Sequence, residues 1–536
     1  MELISQQTKL IMEGCKERAR AAGLRFENET LEYVVTNRDM LELTPKVMIP
    51  TLYDYWVHDV EVLREKGKYE LYPSNPYETV INTRPAISFY NDNNPDWLNV
   101  MIFYHVLAHI DFFQNNLYFR HTWDYDLTGQ ALADKRLIAR LRSEHGRWVD
   151  YVIEFARGID NLVNYHSELS NIHRKSNDCS ARLDFFFDVF LQGVKSVSTS
   201  EYMKQVEAYN LACREAGKLG EQSFFAEMVR KHPEFEAAFE KHQGDKGRKK
   251  SDLLQFLIDH SPMLNSEENR WMKSVLQIVR STSIYFQPQI RTKIMNEGWA
   301  SYWHETLFLQ DDRIKGHEIP FARVNAGVTA MPRVGLNPYA LGMRLFYFIE
   351  EAANRGCYTH DYRRLNNMEQ KRHFDKKLGK GCEYIFDVRE NYSDFTLINS
   401  FVDQDFVDRN KLFVAGRRLN EERMTWQYFV KSRHADDYQQ MLFDTLYHPP
   451  KIEIDEEKSR EGMLYLNHRL EGKPLVQEYI ANTMLGIEFL WGGTVCLETS
   501  DAEVEVGREG EATPEAISWS RVRYQMKERK LERTVL

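Results

Sequence analysis

The chain has 536 residues, 43% of them hydrophobic, and a net charge of −10, which predicts more than one buried core. The mild acidic balance argues against a broad surface for nucleic acid or for an anionic membrane. No apolar run is long enough to span a bilayer, and residues 1–25 lack the apolar stretch of a signal peptide. Six scattered cysteines without a Cys-x-x-Cys pair indicate reduced thiols, so we expect a cytoplasmic protein.

Hydrophobic periodicity predicts helices over most of the chain. Residues 1–25 have an amphipathic helical pattern, whereas six prolines make residues 44–95 a loop-rich stretch. A long apolar helix is then predicted from about Asp96 to Tyr118. Further helical segments are predicted at 130–175, at 182–230, at 252–309 and from Pro338 onward. The expected fold class is therefore mainly α.

Changes in composition suggest three parts of the chain. The polar, basic and glycine-containing segment 241–251 is the clearest linker. From about residue 455 the pattern changes, with strands at Gly462–His468 and Thr494–Glu498 on either side of a helix at Leu475–Leu485. The predicted parts are a helical body at 1–450, a small α+β domain at 455–510 and a charged tail or terminal helix at 511–536.

Two histidines one helical turn apart form the first candidate site. His105 and His109 are four residues apart and therefore lie on one face of the predicted helix. This spacing suits a single metal ion, as in the His-Glu-x-x-His zinc motif, but Val106 stands where that motif has its general base. Hydrogen-bonded core histidines explain the spacing as often as a metal does. The apolar surroundings favour a metal, because an unpartnered imidazole is costly to bury.

The segment Asn296-Glu-Gly-Trp-Ala-Ser-Tyr-Trp-His304 is the second candidate. On a helix, Glu297 shares its face with small residues that let another helix approach, which makes it a candidate third ligand. An Asn-Glu-Gly start is also found in the glutamate helix of zinc peptidases, so a gluzincin-like helix pair is expected. His304 lies roughly 10 Å along the axis from Glu297 and is predicted to act in proton transfer, in substrate contact or at a second metal. The alternative is a buried salt bridge from Glu297 to Arg280 or Arg291.

These two segments together resemble the SpoVR family. Other segments agree in the same order, namely Val80–Pro85, Tyr285–Gln289, Gly335–Gly342 and the pairs Asp394-Phe, Phe401-Val and Asp405-Phe. The resemblance covers about residues 20 to 500. Ala108, Ile110 and Gln114 stand where the family has glycine, asparagine and lysine, so the chain is identified as a divergent member.

The resemblance implies a process more than a reaction. The family is named for a role in late sporulation associated with the spore cortex, and it also occurs in bacteria that form no spores. Its genes are often neighbours of a PrkA-type serine kinase and of a protein with a von Willebrand-type domain. Both proteins are therefore expected partners.

Three functions follow from these residues. The first is a metal-dependent hydrolase in which His105, His109 and Glu297 bind a divalent ion, with zinc favoured and iron or manganese as alternatives. The substrate would be an amide or a peptidoglycan-type compound, and His304 or Glu305 would be the catalytic base. The second is a non-catalytic assembly protein that binds the kinase and the von Willebrand-type protein. The third is an oxygen-using iron or manganese site, because two histidines and a carboxylate also form a facial triad.

Overall fold

The structure, a computed structural model, describes most but not all of the chain. The described residues are 2–3, 6–27, 29–36, 78–123, 127–163, 181–195, 197, 199–216, 220–240, 252–312, 315–365, 367–420, 425–460, 462–471, 473–504 and 517–536. The predicted linker at 241–251 lies outside these ranges, as do residues 44–77 of the proline-rich stretch.

Helices form most of the described residues, which confirms the predicted mainly α fold class. In chain order the α-helices are α1 (Gln6–Ala21), α2 (Asp96–Asn115), α3 (Arg120–Trp123), α4 (Leu127–His145), α5 (Trp148–Arg157), α6 (Ala181–Asp184), α7 (Thr199–Ala216), α8 (Gly220–Lys231), α9 (Leu253–His260), α10 (Pro262–Asn265), α11 (Trp271–Arg291), α12 (Lys293–Phe308), α13 (Glu318–Val328), α14 (Pro338–Arg355), α15 (His360–Arg363), α16 (Met368–Arg372), α17 (Gly381–Asn391), α18 (Asp394–Phe401), α19 (Gln404–Arg409), α20 (Ala435–Thr445) and α21 (Gln477–Trp491). Within the described ranges, no helix is both long enough and apolar enough to cross a membrane.

The strands form three sheets. In chain order they are β1 (Glu2–Leu3), β2 (Thr30–Val35), β3 (Glu78–Ile81), β4 (Ala86–Asn91), β5 (Val414–Asn420), β6 (Thr425–Ser432), β7 (Lys451–Ile454), β8 (Met463–Arg469), β9 (Thr494–Val504), β10 (Ile517–Lys527) and β11 (Lys530–Val535). The sheet orders are β1-β2-β4-β3, β5-β6 and β11-β10-β9-β8-β7. Strand β8 is parallel to β9, and the other pairs of the five-stranded sheet are antiparallel.

The predicted tail or terminal helix at 511–536 is wrong for residues 517–535, which form β10 and β11. Alternate residues of β10, namely Val522, Tyr524 and Met526, are buried, whereas the polar residues between them, Arg523 and Gln525, are more exposed. This period of two is the signature of a strand with one buried face. The many charges of the segment concealed it in the sequence.

Two compact units make up the chain. One contains residues 1–163 and 253–536, and the other contains residues 164–252. The smaller unit has its own core, which is dominated by phenylalanines. In the larger unit, the five-stranded sheet shares a buried core with α4, α5, α9 and α11. A second core contains α2, α12 and α14.

Helices α2 and α12 lie at the centre of this second core. Helix α2 is apolar on almost every side, and such a helix is stable only when it is surrounded by protein. Helix α12 packs against α14 at Gly298 and Gly342, where a Cβ added to Gly298 would lie only 2.3 Å from the backbone carbon of Gly342. The two main chains therefore touch.

The first turn of α12 is held by Asp394, a residue far away in the sequence. Both carboxylate oxygens of Asp394, in the first turn of α18, accept backbone N–H groups of α12, from Ile294 and Met295 at 2.9 Å. These N–H groups have no partner within their own helix. Burial raises the pKa of Asp394 to about 7. The cap thus anchors the turn that precedes Glu297.

Candidate metal centre

The three predicted ligands lie together in the structure. His105 and His109 on α2 face Glu297 on α12, and one donor atom from each lies within 4.8 Å of the others. His109 Nε2 and Glu297 Oε2 are 3.6 Å apart. The two imidazole rings are nearly perpendicular, with centroids 4.6 Å apart. Both histidines are buried, and Glu297 is partly buried.

An asparagine orients the second histidine. His109 Nδ1 lies 2.9 Å from Oδ1 of Asn296, the residue before Glu297. Because an amide oxygen accepts hydrogen bonds, the network assigns the proton of His109 to Nδ1. The lone pair of Nε2 then faces Glu297. The sequence contained Asn296 within the second motif but gave no indication of this role.

A chain of hydrogen bonds orients the first histidine. Glu305 Oε2 accepts from Asn325 Nδ2 at 2.5 Å, and its Oε1 accepts from the Tyr347 hydroxyl at 3.1 Å. Asn325 Oδ1 lies 2.9 Å from His304 Nε2, and His304 Nδ1 lies 2.9 Å from His105 Nδ1. With its NH₂ group turned to Glu305, Asn325 accepts from His304, whose Nδ1 in turn accepts from His105. This series of hydrogen bonds therefore places the ring proton of His105 on Nδ1 and leaves a lone pair on Nε2.

Burial keeps two of these imidazoles neutral. Burial, with smaller contributions from the neighbouring histidines, lowers the pKa of His105 well below its ordinary value. Burial also lowers the pKa of His304 to about 4. Neutral imidazoles at pH 7 have the lone pairs that a metal ion requires.

The predicted salt bridge between Glu297 and an arginine is not found among the described residues. Glu297 Oε2 is buried there without a hydrogen-bond donor, and the basic group beside it is His109 Nε2, at 3.6 Å. Arg291 instead donates to Gln287 of its own helix at 3.1 Å. The carboxylate therefore faces the two histidines.

Asp111, two residues after His109, holds the surrounding helices together. Its buried carboxylate accepts hydrogen bonds from the backbone N–H of Arg25 at 2.7 Å and from Trp299 Nε1 at 2.9 Å. Arg389 Nε lies 3.3 Å away. Burial raises the pKa of Asp111 to about 6. Asp111 thus joins α2, α12 and α17, which is a structural role that spacing alone could not reveal.

A cavity of about 330 Å³ adjoins the cluster. Its lining residues are Met101, Ile102, His105, His304, Val328, Asn337 and Tyr339. Asn337 caps α14, and its NH₂ group bonds the carbonyls of Val328 and Ala330. The described lining includes no Asp, Glu, Lys or Arg side chain, so the cavity is suited to neutral groups.

The fold and the site define a mainly helical protein in which one buried helix presents His-x-x-x-His to an Asn-Glu-Gly helix. Comparison with known families identifies it further: the family model described as "SpoVR like protein" matches residues 4–448, and the chain belongs to the SpoVR family. This result confirms the resemblance seen in the sequence. The protein YcgB of Escherichia coli strain K12 is 27% identical over 340 residues, which are 59% of this chain and 58% of YcgB. No solved structure matches, and the gluzincin-like helix pair stays a prediction.

Proposed function

We propose that this SpoVR-family protein binds one divalent metal ion through His105, His109 and Glu297 and hydrolyses an amide bond there. The convergence of these three donors supports the proposal. Two imidazoles and one carboxylate are a ligand set of catalytic zinc sites, and we favour zinc over iron or manganese. Around a tetrahedral zinc ion with bonds of about 2.1 Å, donors lie about 3.4 Å apart, so donors now up to 4.8 Å apart would have to approach by up to about 1.4 Å.

Asn296 and His304 orient the two proposed histidine ligands. Asn296 and His304 each hold the Nδ1 atom of one histidine, so that both rings direct Nε2 toward the site. When bound, the ion would supply a water of lowered pKa and polarise a carbonyl group. The remaining coordination position would be open to solvent or substrate.

His304 and Glu305 were the predicted bases, and their contacts favour another role. Both ring nitrogens of His304 are engaged, one with His105 and one with Asn325. Glu305 is held by Asn325 and Tyr347. We therefore propose that both residues position His105. Val106 is buried in the core and offers no base.

The adjoining cavity suggests the kind of substrate. A charged or hydroxyl-rich group would lose its hydration in this cavity, because His304 and Asn337 already use their polar atoms within the protein. We propose an amide with a neutral, apolar substituent that fills the cavity. A peptide side chain fits this description better than the sugar part of peptidoglycan, the substrate class that the link to the spore cortex suggested.

Metal analysis of the purified protein tests the site. Wild-type protein incubated with zinc and desalted is expected to retain about one equivalent, and His105→Ala and Glu297→Gln are expected to retain far less. His448→Ala is the matched control, because His448 is exposed and pairs with Glu471. A folded wild-type protein that retains no zinc, iron or manganese would remove the proposal. Equal retention by all three variants would remove it too.

A second candidate is a non-catalytic assembly protein that binds the PrkA-type kinase and the von Willebrand-type protein. The exposed aromatic residues of the β5–β6 hairpin favour it, because such surfaces mark binding sites. Copurification of both partners that survives Glu297→Gln would support it. Loss of the cellular phenotype in that variant, with folding and complex intact, would count against it.

A further inference from the structure

The β5–β6 hairpin exposes apolar side chains that no described residue covers. In the described part of the chain, the two strands pair only with each other, and every residue of β6 except Ser432 is exposed. A two-stranded sheet alone is marginally stable in water. A partner would therefore add stability as well as cover the hairpin.

One face of the hairpin carries most of the apolar surface. Cross-strand neighbours share a face, and the pairs are Leu419 with Trp426, Arg417 with Tyr428 and Ala415 with Val430. Trp426 and Tyr428 are 54% and 58% exposed, and Val430 is 46% exposed. The Arg417 guanidinium lies over the Trp426 ring, 4.9 Å from its centroid. The face is thus a strip of aromatic, aliphatic and cationic groups.

The charge of the hairpin is opposite to that of the chain. Strands β5 and β6 contain Arg417, Arg418 and Lys431 and no acidic residue, whereas the whole chain carries −10. Arg417 shares the face of Trp426 and Tyr428, whereas Arg418 lies over Phe429 on the opposite face. A complementary partner is therefore acidic. Trp, Tyr and Arg are also the residues enriched in protein–protein hot spots.

We propose that this face binds a segment of a partner protein in which acidic side chains alternate with apolar ones. Acidic groups would pair with Arg417, and apolar groups would cover Trp426 and Tyr428. An extended segment could also pair with a free strand edge, since each described strand has one. The proposal does not depend on a metal at the His105 cluster.

Binding of a random copolymer of glutamate and tyrosine to the full-length protein tests this face. We expect the copolymer to bind, and the combined change Trp426→Ser and Tyr428→Ser to weaken binding by about 30-fold or more. Tyr479→Ser is the matched control, since Tyr479 is 66% exposed on α21, and it should bind as wild type does. Polyglutamate should bind more weakly than the copolymer because it cannot cover the aromatic rings. Circular dichroism confirms that the variants are folded.

Several results of this experiment would contradict the proposal. Absence of copolymer binding would overturn the proposal, as would equal binding by the double variant. Preferential binding of oligothymidylate or of phosphatidylglycerol vesicles at the same face would assign it to nucleic acid or to a membrane instead. Self-association that the double variant abolishes would identify a second copy of this chain as the occupant and would likewise overturn the proposal.

Discussion

Replacing Gly298 with alanine tests the helix contact that places Glu297. A Cβ at Gly298 would lie 2.3 Å from the backbone carbon of Gly342 and 2.4 Å from its Cα. Carbon atoms in favourable contact are about 3.5 Å or more apart, so α12 and α14 would have to separate by about 1 Å. Because both partners are main chain, no side-chain rotation can relieve the clash. The same shift would displace Glu297 relative to His109.

The expected loss of stability for Gly298→Ala is about 2 kcal/mol. Overpacking costs about 1–3 kcal/mol, and a main-chain clash falls in the upper part of that range. Alanine offsets about 0.5–1 kcal/mol of this cost, because it is more stable than glycine in a helix interior. The free energy of unfolding is measured by urea titration with tryptophan fluorescence, and zinc retention is measured on the same samples.

Gly327 provides the matched control for this substitution. It also lies in a helix, α13, but a Cβ added there meets no atom within 4 Å. Gly327→Ala should therefore raise the free energy of unfolding by about 0.5–1 kcal/mol. A Gly298→Ala protein as stable as the Gly327→Ala protein would refute the reasoning about helix contact.

Three other substitutions probe the residues around the site. Asp394→Ala removes the acceptor of two buried N–H groups of α12 and should lower the free energy of unfolding by about 2–4 kcal/mol in urea titration, whereas Asp394→Asn should lose less. Asp111→Ala leaves the buried Arg389 without its carboxylate and should cost about 3–5 kcal/mol, measured in the same way. Burial lowers the pKa of His304 from an ordinary 6.5 to about 4 in the folded protein. The stability that the neutral ring contributes is therefore fully present above pH 6.5 and is lost as pH falls toward 4. This loss lowers the free energy of unfolding by about 3 kcal/mol. His304→Gln should therefore show a shallower fall of unfolding free energy across that interval, and an unchanged slope would contradict the burial argument.

The sequence predicted the members of the cluster but could not predict what orients them. His105 and His109 share a helix face by spacing, and Glu297 was recognised from the small residues beside it, so local periodicity was sufficient. The orienting groups come from other elements: Asn325 lies on α13, and Asp394 caps α12 from about 100 residues away in the chain. No spacing rule joins such residues, because tertiary packing alone brings them together.

The predicted roles of the second motif change for the same reason. His304 was expected to act outside the ligand set, in proton transfer, in substrate contact or at a second metal, and its hydrogen-bond contact with His105 was not foreseen. Two turns of α12 separate it from Glu297, but the crossing of α2 and α12 brings His105 between them. The axial distance between His304 and Glu297 on α12 therefore did not show that both lie close to the same residue, His105, of α2.

The residue after the first histidine, Val106, distinguishes this site from that of a His-Glu-x-x-His peptidase. At that position the peptidase motif supplies a carboxylate beside the reacting water, whereas here the side chain is buried in the core. The carboxylate nearest to His105 along the hydrogen-bond chain is Glu305, which stands behind Asn325 and His304. Placed there, it fixes the tautomer of His105, a function that would survive without any proton transfer to substrate. The polar residues of α12 and α13 thus orient the two histidines, and under the proposed function a catalytic base would come from outside this series of hydrogen bonds.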